Sequence, residues 1–205
     1  MLLRRREIVG FLCRFVCVYA LLLAPWPGGD ELYGAYFRAM GEMVFARESG
    51  NRIVLFEFHP VQHGFTTLNT RMTMGNRALV DSTGKGPAAM VELDTRSIGW
   101  VPTALTIALI LASPIPWRRR ALALLAGMML VHAFILLTIQ AWIWNHAPDL
   151  SLATTTPFWS VVTDGLEYTL LTQLGASFSV PVLIWILVTF QRPDHEAKQP
   201  GGLTD

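Results

Sequence analysis

The sequence predicts an α-helical polytopic membrane protein, with about four transmembrane helices and a small antiparallel β-rich segment outside the membrane. Three observations predict it. The first is four hydrophobic stretches, roughly Ile8–Ala24, Ile98–Ile115, Ala121–Trp144 and Leu166–Phe190. Each is about as long as a helix needs to cross a ~30 Å hydrocarbon layer at ~1.5 Å rise per residue. The second is the placement of arginine: Arg4–Arg6 before the first stretch, Arg118–Arg120 between the second and third, and Arg192 after the fourth. A single orientation puts all three clusters on the cytoplasmic side, and with them both termini. The third is composition. Of 205 residues, 52% are hydrophobic and 15% charged, where a soluble domain carries about a quarter charged residues.

The net charge of +1 comes from basic residues scattered as short anchors, which excludes a nucleic-acid partner and leaves the lipid bilayer as the expected one. Residues 1–26 are expected to form a basic N-terminus and the first membrane helix. Arg14 interrupts its apolar run, and the exit Ala24-Pro25-Trp26-Pro27 lacks a small-x-small cleavage site. An uncleaved anchor is therefore expected; the alternative is a removed signal, leaving three spans. Arg14 lies about two turns inside the boundary, close enough for its guanidinium to snorkel to the surface. Cys13 and Cys17, four apart on one helix face, cannot reach disulfide geometry and read as small apolar side chains.

Residues 27–97 are expected outside the membrane. Asp30 is a plausible N-cap, and Leu32, Tyr33, Tyr36, Phe37, Met40 and Val44 recur at helical spacing. The period then changes to two. Ile53–Phe58 is rich in branched and aromatic residues. In Thr67–Met74, Leu68, Thr70, Met72 and Met74 point one way and Thr67, Asn69, Arg71 and Thr73 the other. Ala89, Val91, Leu93 and Thr95 alternate against Met90, Glu92, Asp94 and Arg96. With turn signals at Pro60/Gly64, Gly75-Asn76 and Gly84–Pro87, this predicts a three-stranded antiparallel meander with one apolar and one wet face. About 70 residues without a disulfide or metal are marginal alone, so the segment should complete its core against the membrane helices or a partner.

Residues 98–145 read as a membrane hairpin turning at Pro114–Arg118, residues 146–165 as an outer loop, 166–191 as the fourth membrane helix and 192–205 as a disordered tail. His132 falls near the middle of the third stretch and Gln140 two turns further out. Glu167 and Gln173 fall in the outer third of the fourth, so Gln140 could approach either if those helices pack. Such polar groups are most often helix-to-helix glue worth ~1 kcal/mol, and less often a proton relay or substrate site.

Other chemistry is weakly supported. His59-Pro60-Val61-Gln62-His63 spaces two histidines four apart, but Pro60 and the strand context remove the helical geometry that zinc chelation needs, and no further ligand is near. Asp81–Gly86 lacks the first glycine of a phosphate-binding loop and reads as a surface turn. No serine, cysteine or threonine can be matched with a histidine and carboxylate at one depth. Neither an enzyme nor a cofactor nor a metal is expected.

The layout resembles the small integral membrane proteins associated with exosortases. The resemblance rests on the basic N-terminal anchor, the passage from Val91–Asp94 straight into Ile98–Trp100, the run Arg120–Leu125 ending in Gln140-Ala141-Trp142, and an internal proline, Pro181, in the last helix. It implies an accessory or scaffold protein of a bacterial envelope-processing or export system, in the cytoplasmic (inner) membrane, with an exosortase-like enzyme as partner. It carries over no catalytic residue. The alternative is a small carrier or proton-coupled membrane component using His132, Gln140 and Glu167.

Overall fold

Among the described residues, one of the four hydrophobic stretches forms a helix with both the length and the composition of a membrane span. The computed structural model describes residues 5–45, 51–63, 66–152, single positions between 156 and 165, and 174–190. Among them are five helices and one three-stranded antiparallel sheet: α1 (Arg5–Leu23), α2 (Gly29–Phe45), β1 (Arg52–His63), β2 (Thr66–Asn76), β3 (Ala88–Leu93), α3 (Val101–Ala112), α4 (Trp117–His146) and α5 (Leu174–Thr189). The fold is mixed, and the four-span reading is corrected. Helix α4 is long and apolar enough to cross a bilayer, and the others are not.

The reasons lie in the residues. Helix α1 carries Arg5, Arg6, Glu7 and Arg14 among its 19 residues, which leaves nine uncharged residues after Arg14. Helix α3 is 12 residues long, stopped by Ser113-Pro114-Ile115-Pro116, and even with the preceding wide turn it reaches only Arg96–Ala112. The described part of α5 has 16 residues. Against the ~20 apolar residues a span needs, α4, with 30, is the one that qualifies among the described residues.

Helix α3 sits in the middle of the helical part. It packs against α1, α4 and α5, and Ala104, Ala108 and Ile110 are fully buried. Gly127 lets α4 come close: a Cβ there would lie 2.7 Å from Ile110 Cδ1 and 3.2 Å from Thr106 Cγ2. Ile110, Ala123, Val131, Ile184 and Val188 fill this core. Arg120 donates to the Ser113 and Ile115 carbonyls (3.0 and 3.2 Å), and Trp185 Nε1 donates to Ser113 Oγ (2.7 Å). The two arginine bonds satisfy carbonyls in the turn after α3, and with the Trp185 bond to the Ser113 hydroxyl they pin the passage into α4.

The sheet has the order β1-β2-β3. Its pairing sets Val54 opposite Met74 and Phe56 opposite Met72, with Val91 beside Met72 on the other side. The period-two reading therefore matches the pleat: Val54, Phe56, Met72, Met74 and Leu93 are buried, while Leu55, Glu57 and Met90 are exposed. The His59–His63 segment does not leave the sheet. It continues β1 through a bulge between Phe58 and Val61, where Pro60 has no N–H for the ladder. Asp81 organises the β2–β3 loop. Its carboxylate accepts from the Thr83 and Lys85 amides (2.8 and 2.9 Å) and the Thr83 hydroxyl (2.6 Å). Those bonds hold its pKa below the usual value.

Helix α2 lies on the sheet, but with half of its expected stripe. Tyr33, Phe37 and Met40 face inward, whereas Leu32, Tyr36 and Val44 are exposed. The buried face turns through Gly34, Phe37, Gly41 and Phe45, because Gly41 admits the Phe56 ring; a Cβ there would meet that ring at 2.8 Å. Asp30 is not the N-cap, since the helix already begins at Gly29.

The sheet's core is finished by α4. Phe37, Phe45, Val54, Phe56, Met72 and Met74 form one cluster with Ile135, Ile139, Trp142 and Ile143 of α4 and with Leu150 beyond it. Asn76 Nδ2 donates to the buried Leu150 carbonyl (2.8 Å) and holds that return in place. Residues 27–96 expressed alone therefore lack one wall of their core. They should show no cooperative thermal transition and poorly dispersed amide signals. In the full chain, Ile139→Ala should cost about 2–5 kcal/mol by cavity formation, and Gly41→Ala about 1–3 kcal/mol by overpacking. Chemical denaturation of each variant checks both.

Candidate functional site

The polar residues singled out on the helices do not gather into one site. Arg14 is exposed on α1. His132 Nδ1 lies 2.7 Å from the Met128 carbonyl, a contact that places the proton on Nδ1. Its ring meets Tyr36 of α2 edge-on at 5.8 Å. His132 therefore lies beside the helix that covers the sheet. Gln140 is half-buried on α4. Glu167 and Gln173 lie outside the described residues, and so does any pairing of them with Gln140. Among the described residues no three histidine, cysteine or acidic side chains could hold a metal ion. His59 approaches only Glu92, at 4.0 Å, and Glu92 is held by Arg71 at 2.9 Å.

The structure builds a different constellation where α1, α2 and α3 meet. The end of α1 leaves backbone carbonyls without helical donors, and three successive ones are taken by side chains. Trp26 Nε1 donates to the Leu21 carbonyl at 2.9 Å, Trp100 Nε1 to Leu22 at 3.0 Å and Arg96 to Leu23 at 2.7 Å. The other guanidinium nitrogen of Arg96 donates to both Asp30 oxygens, at 3.2 and 3.0 Å. One arginine thus joins the end of α1 to the start of α2.

Arg96 opens a wide π turn, Arg96–Trp100, that leads into α3. The Val101 amide bonds back five residues to the Arg96 carbonyl, and Pro102, next in line, has no amide to offer. Gly99 in this turn lies directly under the Tyr33 hydroxyl, 2.5 Å from where a Cβ would stand. Among the described residues that hydroxyl is buried without a hydrogen-bond partner. Burial pushes its pKa up to about 12; Thr103 pulls slightly the other way, but its own proton goes to the Gly99 carbonyl at 2.7 Å.

Between these elements lies an open cleft of about 610 Å³, within the ~300–1,000 Å³ usual for ligand sites. Its walls come from Leu21, Leu22, Trp26, Leu32, Tyr36 and Trp100 among others, and its polar side chains are Asp30 and Arg96. Sequence reasoning identified Asp30 as a cap, but placed Arg96 on the wet side of a strand. Nothing in the sequence joins Leu23 to Arg96 across 73 positions. Compared with known proteins, the chain matches no family model, no curated protein and no solved structure.

Two outcomes follow from this geometry. Arg96→Lys keeps the charge but loses the fork that reaches Leu23 and Asp30 together. It should cost about 1.5–3 kcal/mol and expose the turn between α1 and α2 to protease before global unfolding. In an absorbance titration, one tyrosine should ionise near pH 12, and Tyr33→Phe should remove that step. The raised pKa leaves stability intact below the ordinary value of ~10. It withdraws stability as pH rises from there toward about 12, because the unfolded chain releases the proton first.

Proposed function

We propose that the protein is a membrane-bound accessory or scaffold protein whose sheet docks an extended segment of a partner. The single observation behind this reading is the asymmetry of the sheet. Its inner face is sealed by α2 and α4, while no described strand pairs with the outer edge of the 12-residue β1. The bulge and Pro60 blunt the far half of that edge, leaving Arg52–Phe58 regular. An exposed edge offers main-chain hydrogen bonds to an incoming strand, and side chains beside it, here Ile53 and Leu55, supply selectivity.

Membrane attachment is supported by α4 and by the outward surface of the helices. A core helix of a soluble protein is mostly buried, yet only 33% of the apolar window in α4 is buried. Leu122, Leu125 and Met129 of α4, Ile8, Leu12 and Val16 of α1, and Leu183 and Leu187 of α5 are all exposed. An apolar surface this broad requires a cover. The 30 residues of α4 extend about 45 Å, some 15 Å more than a hydrocarbon layer. That excess matches the last ten residues, which hold Ile139, Trp142 and Ile143 of the sheet's core. The partner implied by the sequence resemblance is an exosortase-like enzyme in a bacterial cytoplasmic membrane.

The test is co-purification of a co-expressed exosortase-like enzyme from solubilised membranes. Leu55→Lys, at an exposed edge position, should leave thermal stability within about 0.5 kcal/mol and reduce capture at least tenfold. His132→Ala should leave capture unchanged. Capture that survives Leu55→Lys but fails with His132→Ala would reject edge docking and favour a role for the intrahelical polar residues.

A further inference from the structure

We propose that the cleft between α1, α2 and Trp100 is a binding site for one chain of a zwitterionic phospholipid, with the headgroup at Asp30 and Arg96. This inference rests on the bilayer-bound reading above. The chemistry of the walls selects the chain. Apart from Asp30 and Arg96, the residues that line the cleft are aliphatic or aromatic, with glycine at position 29. Leu21, Trp26 and Leu32 are 58%, 58% and 75% exposed, so the cleft opens to the outside between apolar side chains. An acyl chain passing between Leu21, Trp26 and Leu32 meets apolar side chains. Trp26 and Trp100 line the cleft with their indole nitrogens already bonded to α1 carbonyls, so what they offer a ligand is apolar ring surface.

The mouth selects the headgroup. Its single cation and single anion are paired at 3.0 Å, so its net charge is zero. The pair retains capacity for further bonds: a guanidinium has five N–H donors and a carboxylate about four acceptor sites. Arg96 uses two of its nitrogens on Asp30 and Leu23. The Asp30 side chain remains 60% exposed and that of Arg96 34%. A phosphate beside Arg96 with an ammonium beside Asp30 complements both. A lipid with a net negative head would set its phosphate against Arg96 while Asp30, with no cation to meet, repels it.

The experiment uses the full chain in vesicles of phosphatidylglycerol doped with a phosphatidylethanolamine that carries a photoreactive group in its acyl chain. Flotation first establishes that the chain binds the vesicles. Labelling should then concentrate in the peptide spanning Leu21–Tyr36. Unlabelled phosphatidylethanolamine should compete at least tenfold better than phosphatidylglycerol. Ala24→Phe, which fills the cleft from an exposed position, should abolish this labelling while flotation and thermal melting stay as in the parent chain. Labels spread over the outward faces of α4 and α5, or cleft labelling that Ala24→Phe leaves unchanged, would overturn the site but not the membrane reading. Equal competition by phosphatidylglycerol would overturn the headgroup assignment. Absence of cleft labelling because a second copy of the chain covers it would also overturn the proposal. A chain that does not float with vesicles would overturn both readings.

Discussion

The guanidinium of Arg96 is the contact on which the arrangement of α1, α2 and α3 depends. It reaches the last turn of α1 through the Leu23 carbonyl and the first turn of α2 through Asp30, and its own backbone begins the turn into α3. Bonds between charged partners, or from a charged donor to a carbonyl, are worth more than neutral ones when water has limited access. Here they also satisfy an obligation. The end of α1 would otherwise present bare carbonyls beside Trp26 and Trp100, where apolar walls cannot answer them. Arginine suits this position because its fork serves two acceptors at once.

Helix α4 imposes the second constraint. Its first two-thirds belong to the core shared with α3 and α5, and its last third to the core of the sheet. A single rigid rod therefore couples two hydrophobic cores that differ in surroundings. Two glycines set the spacing. Gly127 brings Ile110 of α3 against α4, and Gly41 brings the Phe56 ring of β1 against α2. In close-packed interiors an added methyl group at such a contact displaces its neighbours. Both cores are thus held to a particular distance from the helices that frame them.

How much of this was legible in the sequence depends on the range of the physics involved. The sheet was readable because its signal is local: Met72 and Met74 alternate with Arg71 and Thr73, and the pleat converts that into burial. The α2 helix was readable too, although its inward face was only half assigned. Leu32 and Tyr36 have the same apolar character as Tyr33 and Phe37, and only the tertiary position of the sheet distinguishes them. The span count failed because hydropathy does not register where a helix stops. Charges within α1 and the Ser113–Pro116 stop after α3 shorten helices whose composition alone looks sufficient. For the functional residues, the helix polar groups His132 and Gln140 drew notice as isolated polar positions in apolar runs. The Arg96 constellation did not, because its partners are some 70 residues away and both Asp30 and Arg96 have an innocent local reading, as cap and strand residue.

The two candidate surfaces are mechanically joined. The β1 edge belongs to the sheet, whose first buried layer includes Phe37 of α2, and the cleft is walled by the opposite side of the same helix through Leu32 and Tyr36. Tyr36 in turn touches His132 of α4. Any displacement of α2 toward or away from α1 must strain the Asp30–Arg96 pair on one side and shift Phe37 against Met72 and Met74 on the other. Occupation of the cleft would therefore bear on the same helix that seals the inner face of the sheet. Coupling of this kind would run in both directions with equal free energy. An extended partner segment bound at β1 would then alter how tightly the cleft holds its occupant, by the same factor with which the occupant alters the partner's binding.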